Sequence, residues 1–130
     1  MTYLLDTIAW LSLVQSLVEE IASSVRSLIA SQTNLALSPQ SIIEVAQKWS
    51  KSPDFLSIPL EEWIERALLH SITLLPITPQ IACDAYRLRD FHGDPADRVI
   101  CATARQYRLT LVTSDLRLIA HPEVKTLSTR

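Results

Sequence analysis

Several fold classes are closed to this chain by what it lacks. It has one glycine, Gly93, beside seven prolines in 130 residues, a ratio that points to many helices joined by short, stiff connections. Its two cysteines, Cys83 and Cys101, lie far apart inside apolar, helix-like segments. They suit buried thiols in a reducing cytosol better than a disulfide or a metal knuckle, so a cytoplasmic location is expected. No run of about 18 uncharged apolar residues is present to span a membrane. The first residues carry no basic segment, and Asp6 interrupts the first apolar run, so no signal peptide is expected. Basic charge is not in excess: the formal net charge is −2, which excludes a generally basic nucleic-acid coat but not a local patch. What remains is a globular chain with 48% hydrophobic residues. Its length suits a single domain, 1–130, able to remove about two-thirds of its surface from water.

Short apolar runs alternate with helical patterns. Tyr3-Leu4-Leu5 reads as a buried strand with Asp6 at its carboxyl end. Residues 8–18 and 19–30 read as two helices, with Ile21, Val25, Leu28 and Ile29 at helical spacing. Residues 34–37 form a second strand. Ser38-Pro39 then caps a helix to about Lys51, whose apolar stripe is Ile42, Val45, Ala46 and Trp49. Ser52-Pro53-Asp54 is a turn. Pro59 opens a helix with Trp63, Ile64, Ala67 and Leu68, and residues 72–75 form a strand. Thr78-Pro79 repeats the cap-plus-proline device and starts a helix to about Asp90. Asp94-Pro95 uses it a third time, for a helix ending near Tyr107. Residues 109–113 make the clearest strand, Asp115 follows it, and a helical turn runs through Ile119. Residues 124–127 suit an edge strand. The alternation predicts an α/β fold: a central, mainly parallel five-stranded sheet with helices on both faces, in three layers.

Four carboxylates fall at one edge of that sheet. Asp6 and Asp115 end strands, where open parallel sheets bind their ligands. Glu44 lies in the second turn of the helix leaving the second strand. Asp97 is at the third position of a helix that runs antiparallel to the strand ending at Asp115. Like charges gathered this closely raise one another's pKa unless a cation neutralises them. Oxygen-only ligands suit Mg²⁺ or Mn²⁺, which can activate a water and stabilise charge developing on a phosphodiester. Each acid also has a plainer reading. Asp6, Asp94 and Asp115 can cap helices, and Asp97 can sit on a helix dipole. Glu44 lies opposite the Ile42/Val45/Trp49 stripe, where a solvated glutamate is expected, or pairs with Ser41 in a capping box.

The order of these segments resembles the PIN-domain nucleases, and within them the VapC-type toxins of bacterial type II toxin–antitoxin pairs. The similarity covers essentially the whole chain. It runs through Leu4-Leu5-Asp6-Thr7 with Trp10, then Ser38-Pro39 with Ser41, Glu44 and Ala46. It continues through Leu60-Glu61-Glu62-Trp63 and Leu75-Pro76-Ile77-Thr78. His92-Gly93-Asp94-Pro95-Ala96-Asp97-Arg98 is the most distinctive motif, and Leu111-Val112-Thr113-Ser114-Asp115 is the last. The resemblance implies a ribonuclease dependent on Mg²⁺ or Mn²⁺, with Asp6, Glu44, Asp97 and Asp115 as catalytic and metal-binding acids. Thr7, Asp94, Thr113 and Ser114 would orient them from outside. It also implies a cognate antitoxin protein as partner, an RNA substrate and a homodimer. One departure is Arg108, which stands where the family often has glycine and needs a left-handed backbone or a different turn.

Six of the 12 Lys and Arg residues fall between Arg87 and Arg117. A basic rim there would suit an RNA backbone, with Arg98 and His92 as possible contacts; arginines paired with Asp84 and Asp90 are the simpler account. Trp10, Trp49 and Trp63 suit packing better than base stacking, and His70 and His121 carry no signal. A catalytically silent PIN-fold module that binds RNA or antitoxin is the competing function. A receiver or an aspartyl-nucleophile phosphatase is disfavoured. The phosphatase needs a second Asp where Ile8 stands; the receiver needs early paired acids and a lysine after a late strand, whereas Lys125 lies inside one.

Overall fold

In a computed structural model, residues 2–14, 35–68, 72–89, 91 and 93–129 are described. Each of the first four strands is followed by a helix whose start carries a polar cap. β1 (Tyr3–Leu5) leads into α1 (Thr7–Val14), and β2 (Leu35–Leu37) into α2 (Pro39–Lys51). A 3₁₀ turn, Pro53–Phe55, connects to α3 (Leu60–Ala67) and β3 (Ile72–Leu74). Then come α4 (Pro79–Ala85), α5 (Pro95–Gln106), β4 (Thr110–Thr113), α6 (Leu116–Ile119) and β5 (Thr126–Ser128). The caps expected at Ser38 and Thr78 form: Ser38 Oγ accepts from Gln40 N–H, and Thr78 Oγ1 from Ile81 N–H.

The five strands pair in the order β3–β2–β1–β4–β5, and every pair is parallel. The expected architecture, a parallel sheet between helical layers, is the one found. Register and the two-residue period of a strand divide the core in two. Leu4 lies level with Ala36 and Leu111, and these three pack in one cluster with Ile100, Cys101 and Ala104 of α5. Leu5 lies level with Leu37 and Val112, and these three pack in the other with Trp10, Val45 and Ala67. Burying a leucine of this kind contributes about 1.5–3 kcal/mol. Trp10 is fully buried and meets Trp63 edge-on at 5.5 Å, so these two tryptophans are packing residues.

Some boundaries differ from expectation. α4 ends at Ala85 and not near Asp90, because the Arg98 guanidinium takes the Ala85 carbonyl at 3.0 Å as the chain turns away at Tyr86. β5 begins at Thr126, since Val124 turns into the core. Cys83 is exposed and only Cys101 is buried. The helices expected over residues 8–18 and 19–30 lie within the described residues only as far as Val14; Asn34, Asp90 and His92 lie outside them. Among the described residues, no helix is long and apolar enough to cross a membrane.

Arg108 takes the left-handed conformation, with φ 55°. The end of α5 requires it. Leu109 N–H bonds Ala104 O at 2.8 Å and Arg108 N–H bonds Arg105 O at 3.2 Å, the paired bonds of a Schellman cap. Glycine adopts this backbone without the roughly 1–2 kcal/mol penalty an L side chain meets there. Part of that gain is offset by glycine's larger unfolded-state entropy, about 0.4–1 kcal/mol. Arg108→Gly is therefore expected to raise the melting temperature by about 2–4 °C, while Arg108→Ala, which keeps the strain, leaves it unchanged. A thermal melt of the three proteins checks this.

Candidate active site: an acid cleft at the strand ends

The polar residues beyond the carboxyl ends of β1, β2 and β4 enclose a cleft of about 220 Å³. Asp6, Glu44, Asp94, Asp97 and Asp115 line it, with Thr7, Ser114 and Arg117 among them. The four expected acids are thus brought together from four segments. A larger apolar groove of about 540 Å³, bordered by Leu13, Trp63 and Ile72, holds none of this chemistry.

The plainer readings of the four aspartates also hold. Asp6 is a buried cap: Oδ1 accepts from Ala9 N–H at 2.7 Å. Asp94 and Asp97 form a reciprocal capping box on α5. Asp94 Oδ1 accepts from Asp97 N–H at 2.8 Å, and Asp97 Oδ2 from Asp94 N–H at 3.3 Å. Asp115 caps α6 through Arg117 N–H at 2.9 Å. Glu44 is not the solvated residue its place opposite the stripe suggests. It is half-buried, and its Oε1 lies 2.6 Å from the Thr7 hydroxyl. Thr7 Oγ1 also lies 2.9 Å from Ser41 Oγ. A hydroxyl has one proton to give and an ionised carboxylate can only accept. Thr7 therefore donates to Glu44, and Ser41 donates to Thr7. Thr113, fully buried, joins two strand ends: its hydroxyl bonds the Asp6 carboxylate and accepts from Asp115 N–H at 3.0 Å.

The acids strain one another. Burial pushes Asp97 up to about 6, and the charges of Asp94, Asp115 and Glu44 add to the rise. Burial also raises Asp6 and Glu44, against hydrogen bonds from Thr113 and Thr7 that hold them down. Asp115 moves the other way, because the Arg117 guanidinium is bonded to it. Beneath them burial raises the Cys101 thiol to about 12, with the same acids adding, so the sulfur stays protonated and inert.

Gly93 explains how the loop fits over Asp97. A Cβ there would stand 2.8 Å from the Asp97 Cβ and 2.5 Å from the Phe91 ring, closer than real contacts allow. The chain's only glycine is thus a matter of clearance, not of φ. Arg98, expected as an RNA contact, is engaged by the protein. It donates to the carbonyls of Ala85 and Phe91, and its guanidinium stands 5.2 and 5.1 Å from the Tyr86 and Phe91 ring centres. Arg105 pairs with Asp84 and Glu123, each at 3.6 Å. Much of the expected basic rim is therefore tied to the fold.

Two site residues were not expected. The sequence marks Ser41 only through the Glu44 motif and its capping-box spacing to Glu44, and its bond to Thr7 has no local signal. Arg117 lies in the single turn of α6, two positions after Asp115, and that short spacing is the signal for their pairing.

The group implied for such a cleft is a divalent metal. The donor set fits in kind, being all oxygen, and the raised Asp6, Glu44 and Asp97 are acids that a cation would relieve. Among the described residues no three of them stand as a ready ligand group. Each carboxylate meets a protein donor that competes with such an ion for it.

Residues 3–124 match the PIN domain family. The chain is 39% identical over 88 residues to Ribonuclease VapC22 of Mycobacterium tuberculosis, covering 67% of each sequence. Its fold is similar to VapBC2 from Rickettsia felis bound to a fragment of promoter DNA, with a TM-score of 0.77 at 17% identity over 100% of both chains. It is also similar to a toxin–antitoxin complex from Klebsiella pneumoniae, with a TM-score of 0.71 at 24% identity over 99% of this chain and 98% of that one. With the match reaching from β1 to beyond the last helix, this chain belongs to the PIN-domain family.

Proposed function

We propose that the protein is a divalent-metal-dependent endoribonuclease, the toxin of a toxin–antitoxin pair. The observation that carries this is the convergence of Asp6, Glu44, Asp97 and Asp115 on one cleft, three of them with carboxyls raised by burial and by one another. The relative named as a ribonuclease supports the substrate class, and the similar toxin–antitoxin complexes support the partner. An RNA strand, a cognate antitoxin and a second copy of the chain are the partners that follow.

Asp6, Glu44, Asp97 and Asp115 would hold Mg²⁺ or Mn²⁺, which supplies an activated water and neutralises charge developing on the phosphodiester. The rest is the work of this chain's own groups. Thr113 and Ala9 N–H counter the burial that raises the Asp6 carboxyl and aim it from β1. The Ser41–Thr7 relay fixes the Glu44 carboxylate. Asp94 holds the first turn of α5, and with it the place of Asp97.

Purified protein is expected to cleave RNA with Mg²⁺ or Mn²⁺ and not in excess EDTA. Asp6→Asn and Asp97→Asn should each lower the rate by more than the roughly 100-fold typical of losing an outer partner, with secondary structure retained. A gel assay with circular dichroism decides it; full cleavage in EDTA, or by both variants, would sink the proposal.

Expression of the chain alone should arrest growth, and co-expression of the antitoxin encoded beside it should restore growth. Unimpaired growth with confirmed soluble protein would favour the silent module.

The third expectation concerns Asp97 without catalysis. Its folded pKa of about 6 lies above the ordinary value of 3.8, so the folded state holds its proton more tightly. The stabilisation this gives is full at low pH and is lost as pH rises through about 6. In EDTA, the stability of wild type relative to Asp97→Asn should therefore fall between about pH 4 and 6. Asparagine keeps an oxygen for the capping box, so at neutral pH the metal-free variant should match or exceed wild type. Magnesium at a hundredfold excess over its dissociation constant should raise wild type by about 2.7 kcal/mol and the variant far less. Melting curves across pH and magnesium measure all three. An equal magnesium response in both proteins would leave Asp97 as a cap alone.

A further inference from the structure

Among the described residues that line the cleft, one is a cation, Arg117. Arg117 Nη2 reaches Asp115 Oδ2 at 3.0 Å and Nε reaches Oδ1 at 3.3 Å, while the Arg117 backbone N–H bonds the same Oδ1 at 2.9 Å. Both oxygens of one acid are therefore held by one guanidinium, in the fork geometry that also fits a phosphate. The other acids accept from neutral groups: Asp6 from Ala9 N–H, Glu44 from Thr7, Asp97 from Asp94 N–H. The Arg117 side chain is 59% exposed, so it stands at the mouth of the cleft and its ion pair is of the weak, water-screened kind.

A guanidinium bonded to both oxygens of a carboxylate competes with a metal ion for the same charge and the same lone pairs. That guanidinium is already beside the cleft, where a phosphodiester would lie. We propose that Arg117 is an exchangeable counter-ion: it neutralises Asp115 while the cleft holds no ion, and passes to a phosphate of the bound RNA when a metal takes the carboxylate. The backbone N–H cap on Asp115 survives the exchange, so α6 keeps its start. This inference rests on the metal-dependent nuclease reading.

It requires two effects of opposite sign from one substitution. Without RNA, Arg117→Ala should bind Mn²⁺ about three- to tenfold more tightly than wild type, since a competitor is gone; free Mn²⁺ is counted by electron paramagnetic resonance. With Ca²⁺ present, the same variant should bind a short single-stranded RNA about three- to tenfold more weakly. The slope of log affinity against log salt should shrink by about 0.7, the loss of one phosphate contact. Arg117→Lys, a point charge with no fork, should fall between the two. Arg117→Gln, run alongside with a melt in EDTA, covers the case in which alanine unsettles α6. Unchanged or weaker Mn²⁺ binding in Arg117→Ala and Arg117→Gln would overturn the proposal and make Arg117 a splint for Asp115. Unchanged RNA affinity and salt slope would overturn it equally. Absence of Mn²⁺ binding by wild type would instead strike the nuclease reading beneath it, and the two failures are distinct.

Discussion

Strand direction is the constraint from which the rest follows. All five strands are parallel, so β1, β2 and β4 deliver the chain to a single edge. At that edge α1, α2 and α6 begin, each with backbone N–H groups that lack helical partners. Aspartate is among the best residues to satisfy them. Asp6 and Asp115 do so just past their strands, and Asp94 does so for α5, which starts at the same edge. An acid cleft is thus close to what a parallel sheet produces when its caps are carboxylates. The addition particular to this chain is Glu44, brought in by the second turn of α2 and held by Thr7.

Gathering those charges opposes folding, and the structure counters it locally. Hydroxyls hold Asp6 and Glu44, the helix start holds Asp97, and a guanidinium holds Asp115. The same bonds compete with any shared cation for the carboxylates, and among the described residues the acids lining the cleft do not form a ready ligand group. Stability without a metal and readiness for one are in competition here, and the hydrogen bonds set the balance.

Legibility in the sequence followed the range of the interaction. Caps are local, and Ser38, Thr78 and Asp94 were all readable from a polar residue followed by proline. The parallel sheet was readable because strands and helices alternate, and the left-handed turn because an arginine stood where glycine is usual. Non-local contacts were not readable. Nothing near Ala85 says that Arg98, 13 residues on, will take its carbonyl and end α4. Ser41 depends on a threonine 34 residues away. Cys83 looked buried because its segment is apolar, but the cluster on that side is built by Ile81, Ala85 and Ala102.

Asp6, Asp94, Asp97 and Asp115 are each both a helix-start residue and a lining residue of the cleft, so for the aspartates the two readings are not exclusive. A cap uses one lone pair of one oxygen, and a carboxylate has about four such sites. Asp6 accepts from Ala9 N–H and the Thr113 hydroxyl, Asp97 from Asp94 N–H, and each keeps sites for the cleft. Asp115 is different, because Arg117 adds its guanidinium to both oxygens. At Asp6 and Asp97 fold and chemistry are compatible by simple capacity. At Asp115 the guanidinium competes with the cleft for the same oxygens, and its exposure at the rim is what lets it give way.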